Sequence, residues 1–263
     1  MKAADVWAGL RREGARLGSA AEFLTRLPLP AAGWEEGRLR FALAWFPLVG
    51  LGVGLAQGLA LASAVLILPP AVAAGLAIAL GLWLTGALHE DGLADTADGL
   101  GGAGTPRERA LEIMRDSRLG TYGAAALIVA LGLRWAGFAC LAGVPADAVL
   151  AVAAAGLLSR AALLPLARMP MAREGGLGGM LSAPQDTALN ARETVAACVY
   201  AGAALALLGW APFLVALGAA SVTTVLLSRL AFRRLGGMTG DTFGAVVVAA
   251  ELAVLLALLG VQG

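Results

Sequence analysis

The sequence predicts an all-α, polytopic membrane helix bundle of about seven transmembrane helices, preceded by an interfacial amphipathic helix, and three observations predict it. Of 263 residues, 59% are hydrophobic and only 14% charged, so most of the chain lacks the polar helix face that a soluble domain shows every three or four residues. The apolar residues gather in stretches that approach or exceed the ~20 needed to cross a hydrocarbon core. Finally, every one of the 19 Lys and Arg except Arg134 and Arg160 falls on one side when the connections are assigned alternately to two sides, which is the positive-inside pattern of a cytoplasmic face.

The elements follow in order. Ala3 to Leu27 interleaves apolar residues with Arg11, Arg12 and Arg16 at helical spacing, which fits a helix lying in the interface or one packed on the bundle. Pro28-Leu29-Pro30 ends it. Spans are expected at approximately Phe41 to Leu68, Ala71 to Leu88, Tyr122 to Ala142, Ala148 to Ala167, Thr194 to Gly209, Phe213 to Phe232 and Phe243 to Gly260. The connections Pro69 to Pro70, Gly143 to Asp147 and Trp210 to Pro212 carry no Lys or Arg, so the N-terminus and every long loop are expected in the cytoplasm and the C-terminus outside a cell (inner) membrane.

One integral membrane domain is expected over 1–263, with 1–40 interfacial and 89–120 an acidic cytoplasmic segment. Cys140 and Cys198 stand alone in apolar segments and read as buried small hydrophobes. The N-terminus lacks the apolar core and cleavage site of a signal peptide. A net charge of +1 gives no nucleic-acid footprint. The natural partner is the lipid bilayer, and a homo-oligomer is left open.

The chemistry concentrates in His89 to Gly99. Asp91, Asp95 and Asp98 stand at i, i+4 and i+7, one face of a helix. Carboxylates so crowded repel one another unless a cation neutralises them. Hard oxygen donors suit Mg²⁺, which keeps waters and recruits substrate phosphates; the bland alternative is a solvated acidic face. A second helix, with Thr105 as N-cap and Pro106 at its first position, carries Glu112 and Asp116. These would complete a carboxylate cluster with Asp98 if the two helices lay antiparallel.

Arg115, Arg118 and Arg173 suit phosphate, since guanidinium forks match its oxygens, or serve as plain basic anchors. Asp241 follows a glycine-rich turn and is expected at the site. Within the spans, Arg160 is expected to reach a phosphate or the acidic cluster, Arg134 to snorkel to the external interface, and Glu251 to require one of these arginines as partner. Candidate bases are Asp116, Asp241 and His89, although His89 also suits a structural hydrogen bond. Glu90, on another face from Asp91, suits a supporting or exposed position.

Asp95-Thr96-Ala97-Asp98-Gly99 matches the opening of the motif of membrane CDP-alcohol phosphotransferases, but no Ala-Arg follows at the offset of that family. A closer resemblance covers essentially the whole chain. Phe23 to Pro28, His89 to Gly99, Ile113 to Gly123, Ala172 to Gly178 and Gly236 to Ala245 resemble, in order, motifs of the cobalamin synthase (adenosylcobinamide-GDP ribazoletransferase) family. The resemblance implies Mg²⁺ as cofactor, adenosylcobinamide-GDP as donor and α-ribazole or its 5′-phosphate as acceptor. It also implies adenosylcobalamin or its phosphate, with GMP, as products. A transporter is the other class to weigh, but such proteins place polar residues at the midplane. Here they cluster in the loops of one side.

Overall fold

In the computed structural model, residues 3–28, 38–104, 106–173, 176–181 and 187–262 are described. Among them the chain is helical almost throughout, as lipid demands of a backbone that must satisfy its own hydrogen bonds. The helices are α1 (Ala3–Leu24), α2 (Arg38–Ala42), α3 (Phe46–Ala64), α4 (Pro70–Thr85), α5 (Leu88–Gly102), α6 (Arg107–Ile113) and α7 (Thr121–Leu141). They continue with α8 (Pro145–Ala161), α9 (Leu163–Leu166), α10 (Gly176–Leu181), α11 (Thr187–Leu208), α12 (Trp210–Leu235) and α13 (Gly240–Gln262). A 3₁₀ turn, Leu43–Trp45, joins α2 to α3. Thr105, Leu29, Pro30 and the Glu174-Gly175 pair lie outside the described residues.

Six helical stretches are long and apolar enough to cross a membrane, and α4 with α5 makes a seventh if that pair, bent by 89°, counts as one span. The expected second span therefore stops early, at Thr85. Gly86 (φ 64°) and Ala87 (φ 56°) both turn left-handed, and the Leu82 carbonyl accepts from the N–H of each. Glycine adopts that region freely, while an alanine there costs about 1–2 kcal/mol. The result is that α5 leaves the line of α4 and runs beside α7, with Asp98 at Gly120 and Gly123 and Glu90 at Arg134.

At the centre, α3 meets α8 through Gly50, Gly54 and Gly58, one small residue per turn. A Cβ on Gly54 would stand 2.5 Å from the Val152 carbonyl oxygen, and one on Gly58 2.7 Å from Val149 Cα. Backbones that close gain dispersion contacts, the main attraction between helices in lipid. The interior helix is α8, 72% buried, whereas α11 is only 11% buried and forms the rim. Cys140 and Cys198 are exposed, contrary to expectation. The outside of a membrane bundle is itself apolar, so a small hydrophobe has no reason to be interior.

Helix α1 packs on α2 and α3, with Phe23 stacked on Phe46 at 5.6 Å between centroids. Its Glu13 accepts from Trp45 Nε1 at 3.0 Å and from Arg192 Nη2 at 2.7 Å, while Trp7 and Leu10 remain exposed. The helix thus joins the bundle on one face and leaves outward a face on which Trp7 and Leu10 stand among Arg11 and Arg12. A parallel backbone bridge between Met171 and Met238 fastens the α9–α10 connection to the start of α13.

Candidate active site

Helix α5 separates its acidic residues by face. His89 and Glu90 are buried, Asp91 is exposed, Asp95 is half-buried and Asp98 is buried. Glu90 accepts from Arg134 Nη1 of α7 at 2.9 Å. Arg134 also meets Glu251 of α13 at 3.3 Å, and the same Glu251 pairs with Arg160 of α8. Arg160 Nη1 further donates to Ser159 Oγ at 2.9 Å. Four helices are tied by this buried chain of two carboxylates and two guanidiniums. Its members depart from expectation in two ways: Arg134 faces inward rather than snorkelling outward, and Arg160 is committed to Glu251 rather than to the acidic stripe or an open phosphate position. Glu90 takes the supporting position of its two alternatives, not the exposed one. Burial without pairing is expensive for an ion in lipid, so each takes the nearest opposite charge.

The five-carboxylate metal cluster does not assemble. Asp98 accepts the backbone N–H of Gly120 at 2.7 Å and of Gly123 at 2.8 Å. It caps the N-terminus of α7, where unpaired N–H groups and the helix dipole favour an anion. Glu112 is bound to Arg109 at 2.7 Å on the surface. Asp116 accepts from Arg118 at 2.5 Å, and those hydrogen bonds hold its carboxyl at about 2. Such a carboxyl is too weak a base for general-base work. Arg115 and Arg118 are both exposed. Among the described residues no three acidic, histidine or cysteine side chains converge as a ready metal cage.

What does converge is narrower. Asp95 lies in the field of Asp91, Asp241 and Asp98, with Arg173 the opposing charge. Arg173 Nη2 binds Asp241 Oδ2 at 3.1 Å. The backbone sets this pair: Ala172 N–H donates to the Met238 carbonyl at 2.7 Å and Met238 N–H to that of Pro170 at 2.9 Å. Thr239 then caps α13, accepting at Oγ1 from Thr242 N–H at 3.1 Å, which puts Asp241 in the first turn, where the dipole favours it. Gly92 and Gly244 let the two helices touch; a Cβ on Gly92 would stand 2.7 Å from the Asp241 carbonyl oxygen. Mg²⁺ is commonly held by only one or two carboxylates with substrate phosphates and water completing its shell. Asp91 and Asp95, four apart on α5 and without an ion-pair partner of their own among the described contacts, fit that donor set.

Two cavities flank the carboxylates. One, of about 190 Å³, is walled by Phe23, Phe46, Leu163 and Phe243 and reaches His89, Asp91, Arg173 and Asp241. The other, about 660 Å³ and more open, is lined by Arg26, Glu90, Asp91, Asp95, Ser117 and Leu119 among others. Phe23, Leu88 and Asp91 line both. Asp91 therefore stands at the boundary between an apolar recess and a wider polar one.

A family model described as cobalamin-5-phosphate synthase matches residues 16–259. The chain belongs to this family. A protein of Bradyrhizobium diazoefficiens named adenosylcobinamide-GDP ribazoletransferase is 45% identical, with 94% of each chain covered. Proteins of the same name from Rhizobium etli and Azorhizobium caulinodans are 43% and 42% identical, covering 91% and 93% of this chain and 94% and 95% of theirs. No solved structure matches.

Membership gives the geometry its meaning. The five segments that resemble family motifs are scattered through the sequence, yet each supplies residues to the two cavities or to their rim. Phe23 to Arg26, His89 to Gly92 with Ala94 and Asp95, Ser117 with Leu119, Arg173, and Thr239 to Asp241 with Phe243 and Gly244 all line one or the other. Several of these sequence reasoning did not single out. Arg26 lines the open cavity as an unassigned cation; its signal was its place in the first motif. Phe23 and Phe243 had the same signal, a place in the first and last motifs; Phe46 gave none, because an aromatic among apolar residues looks the same whether it faces lipid, core or cavity.

Proposed function

We propose that this chain is an adenosylcobinamide-GDP ribazoletransferase, transferring the phosphocobinamide group of adenosylcobinamide-GDP to α-ribazole or α-ribazole 5′-phosphate. The products are adenosylcobalamin or its 5′-phosphate, and GMP. The observation that carries the reading is the convergence of five dispersed motifs on paired cavities that share Asp91. A two-substrate transfer needs two recesses meeting at the reacting group.

In the reaction, a ribose hydroxyl of the acceptor attacks the phosphorus attached to cobinamide. The bond from that phosphorus to the bridging oxygen of the diphosphate breaks, and GMP leaves with that oxygen. Phosphoryl transfer asks mainly for alignment and charge stabilisation. Asp91 and Asp95 would hold Mg²⁺, which would offset the charge that develops on the departing GMP. Arg26 and Arg173 lie where phosphate oxygens would meet them, one in each cavity. Asp241, steadied by Arg173 and lining the small cavity, is the carboxylate best placed to take the hydroxyl proton; Asp116, tied to Arg118, is not. Phe23 and Leu88, common to both recesses, would exclude water from the junction.

The basic end of the bundle faces the cytoplasm of a cell inner membrane on this reading, supported by the one-sided distribution of Lys and Arg. A reporter fused after Gln262 would then be external. The deciding assay is GMP release by purified protein in phospholipid vesicles supplied with adenosylcobinamide-GDP. Release is expected only with α-ribazole or its phosphate present and is abolished by EDTA. Acceptor-independent release, or use of a CDP-alcohol donor instead, would overturn the proposal.

A further inference from the structure

Resting on the transferase reading, we infer that the smaller cavity seats the aromatic base of the acceptor, a flat dimethylbenzimidazole. Size is the first argument. Pockets that enclose a whole drug-sized ligand run to about 300–1,000 Å³, and this one is about 190 Å³. It holds one ring system of a larger substrate and not a corrin macrocycle.

Chemistry chooses which ring. The walls contributed by Phe23, Leu24, Phe46, Leu163, Leu181 and Phe243 are apolar. Guanine, the other bicyclic base in the reaction, carries donors and acceptors around its edges that such walls would leave unpaired, a costly burial. A dimethylbenzimidazole exposes two methyl groups, a hydrocarbon ring and a single acceptor nitrogen. The polar lining, Asp91, Arg173, Thr239 and Asp241, is the reacting group of the site. A base seated among the aromatics therefore leaves its ribose toward the carboxylates, where the attacking hydroxyl is needed.

The test uses full-length protein in phospholipid vesicles, with benzimidazole fluorescence reporting α-ribazole binding without turnover and GMP release measured separately. Leu163→Phe narrows the cavity and is expected to weaken α-ribazole binding about tenfold or more, the scale of a methyl-sized misfit in an apolar pocket. KM for adenosylcobinamide-GDP should stay within a factor of about two. The riboside of unsubstituted benzimidazole, lacking both methyl groups, should recover most of the loss. Leu24→Phe repeats the test from another wall, and thermal unfolding confirms that each variant is folded. Unchanged α-ribazole binding in both narrowed variants, or equal weakening of donor and acceptor, would overturn the assignment. Wild-type protein that binds α-ribazole at this cavity yet releases no GMP would sink the transferase reading and leave the base pocket standing.

Discussion

Glu90 and Asp91 are neighbours in sequence and opposites in circumstance. Glu90 turns into the bundle and joins Arg134, Glu251 and Arg160, where two carboxylates meet two guanidiniums and every ion is buried. Asp91 turns outward with Asp95 toward Asp241, where three carboxylates share one guanidinium, Arg173. The inner set is electrically closed. The outer set carries two uncompensated negative charges, which is the charge of one divalent cation. One helix thus spends adjacent residues on opposite tasks: the inner chain fixes the rotation of α5 about its axis, and that rotation aims the outer carboxylates at the cavities.

The inner set should break hardest. Glu251→Gln leaves Arg134 and Arg160 facing Glu90 alone, and removing one partner of a buried pair typically costs about 3–5 kcal/mol. The expected result is a large fall in the amount of folded protein and in its thermal midpoint, read in detergent by unfolding fluorescence. A stable Glu251→Gln protein with impaired turnover would move Glu251 from the framework to the chemistry.

The outer set should break in the opposite sense. Asp95→Asn keeps the side-chain shape and removes charge where nothing in the fold depends on it. Turnover is expected to fall by about two to three orders of magnitude, the scale of losing one electrostatic contact to the transition state, with thermal stability unchanged or raised as crowding is relieved. Added Mg²⁺ should restore part of the loss. Near-wild-type GMP release with unaltered Mg²⁺ dependence would return Asp95 to a solvated acidic face.

Much of this division was legible before the fold. Hydropathy found the spans because lipid punishes polar backbone everywhere along a helix, and that signal is local. The spacing of Asp91 and Asp95 gave their shared face for the same reason. The partners of Arg134, Arg160 and Glu251 were only half legible. A charge in a span announces that it needs a partner, but the choice depends on which helices touch, and that was not in the local sequence. The Gly50, Gly54 and Gly58 seam is a regular small-residue repeat that does mark a close helix contact, although it does not name α8 as the opposing helix. Asp98 misled because helical spacing counts faces and takes no account of what approaches them. Here the start of α7 arrives with two unpaired N–H groups and claims the third carboxylate.

Asp98 therefore sharpens the comparison, for it shares a stripe with the outer set but the logic of the inner one. In Asp98→Asn a single amide oxygen must replace two carboxylate acceptors, and the amide group is turned against a backbone N–H. A loss of about 1–3 kcal/mol in stability is expected, with Mg²⁺ dependence unmoved in the protein that remains folded. A shift in Mg²⁺ requirement larger than the shift in stability would restore Asp98 to the metal site.

The smallest effect is expected at Asp116. Its carboxyl is exposed beside Arg118, whose hydrogen bonds depress it from 3.8 to about 2. A depressed acid contributes its stabilisation above the unfolded value and loses it as pH falls through the folded one, so this pair matters to pH dependence only below about 4. Between pH 5 and 8 it is fully ionised with or without its partner. Exposed pairs contribute little in any case. Asp116→Asn should then release GMP at close to the wild-type rate across that range, with the same Mg²⁺ requirement, and the same holds for Glu112→Gln. If either variant lost turnover by orders of magnitude while remaining folded, the segment between α5 and α7 would have to close over the cavities when both substrates are bound. In that case the surface pairing of Asp116 with Arg118 would describe only the resting arrangement, and the line between framework and reacting carboxylates would have to be redrawn through α6.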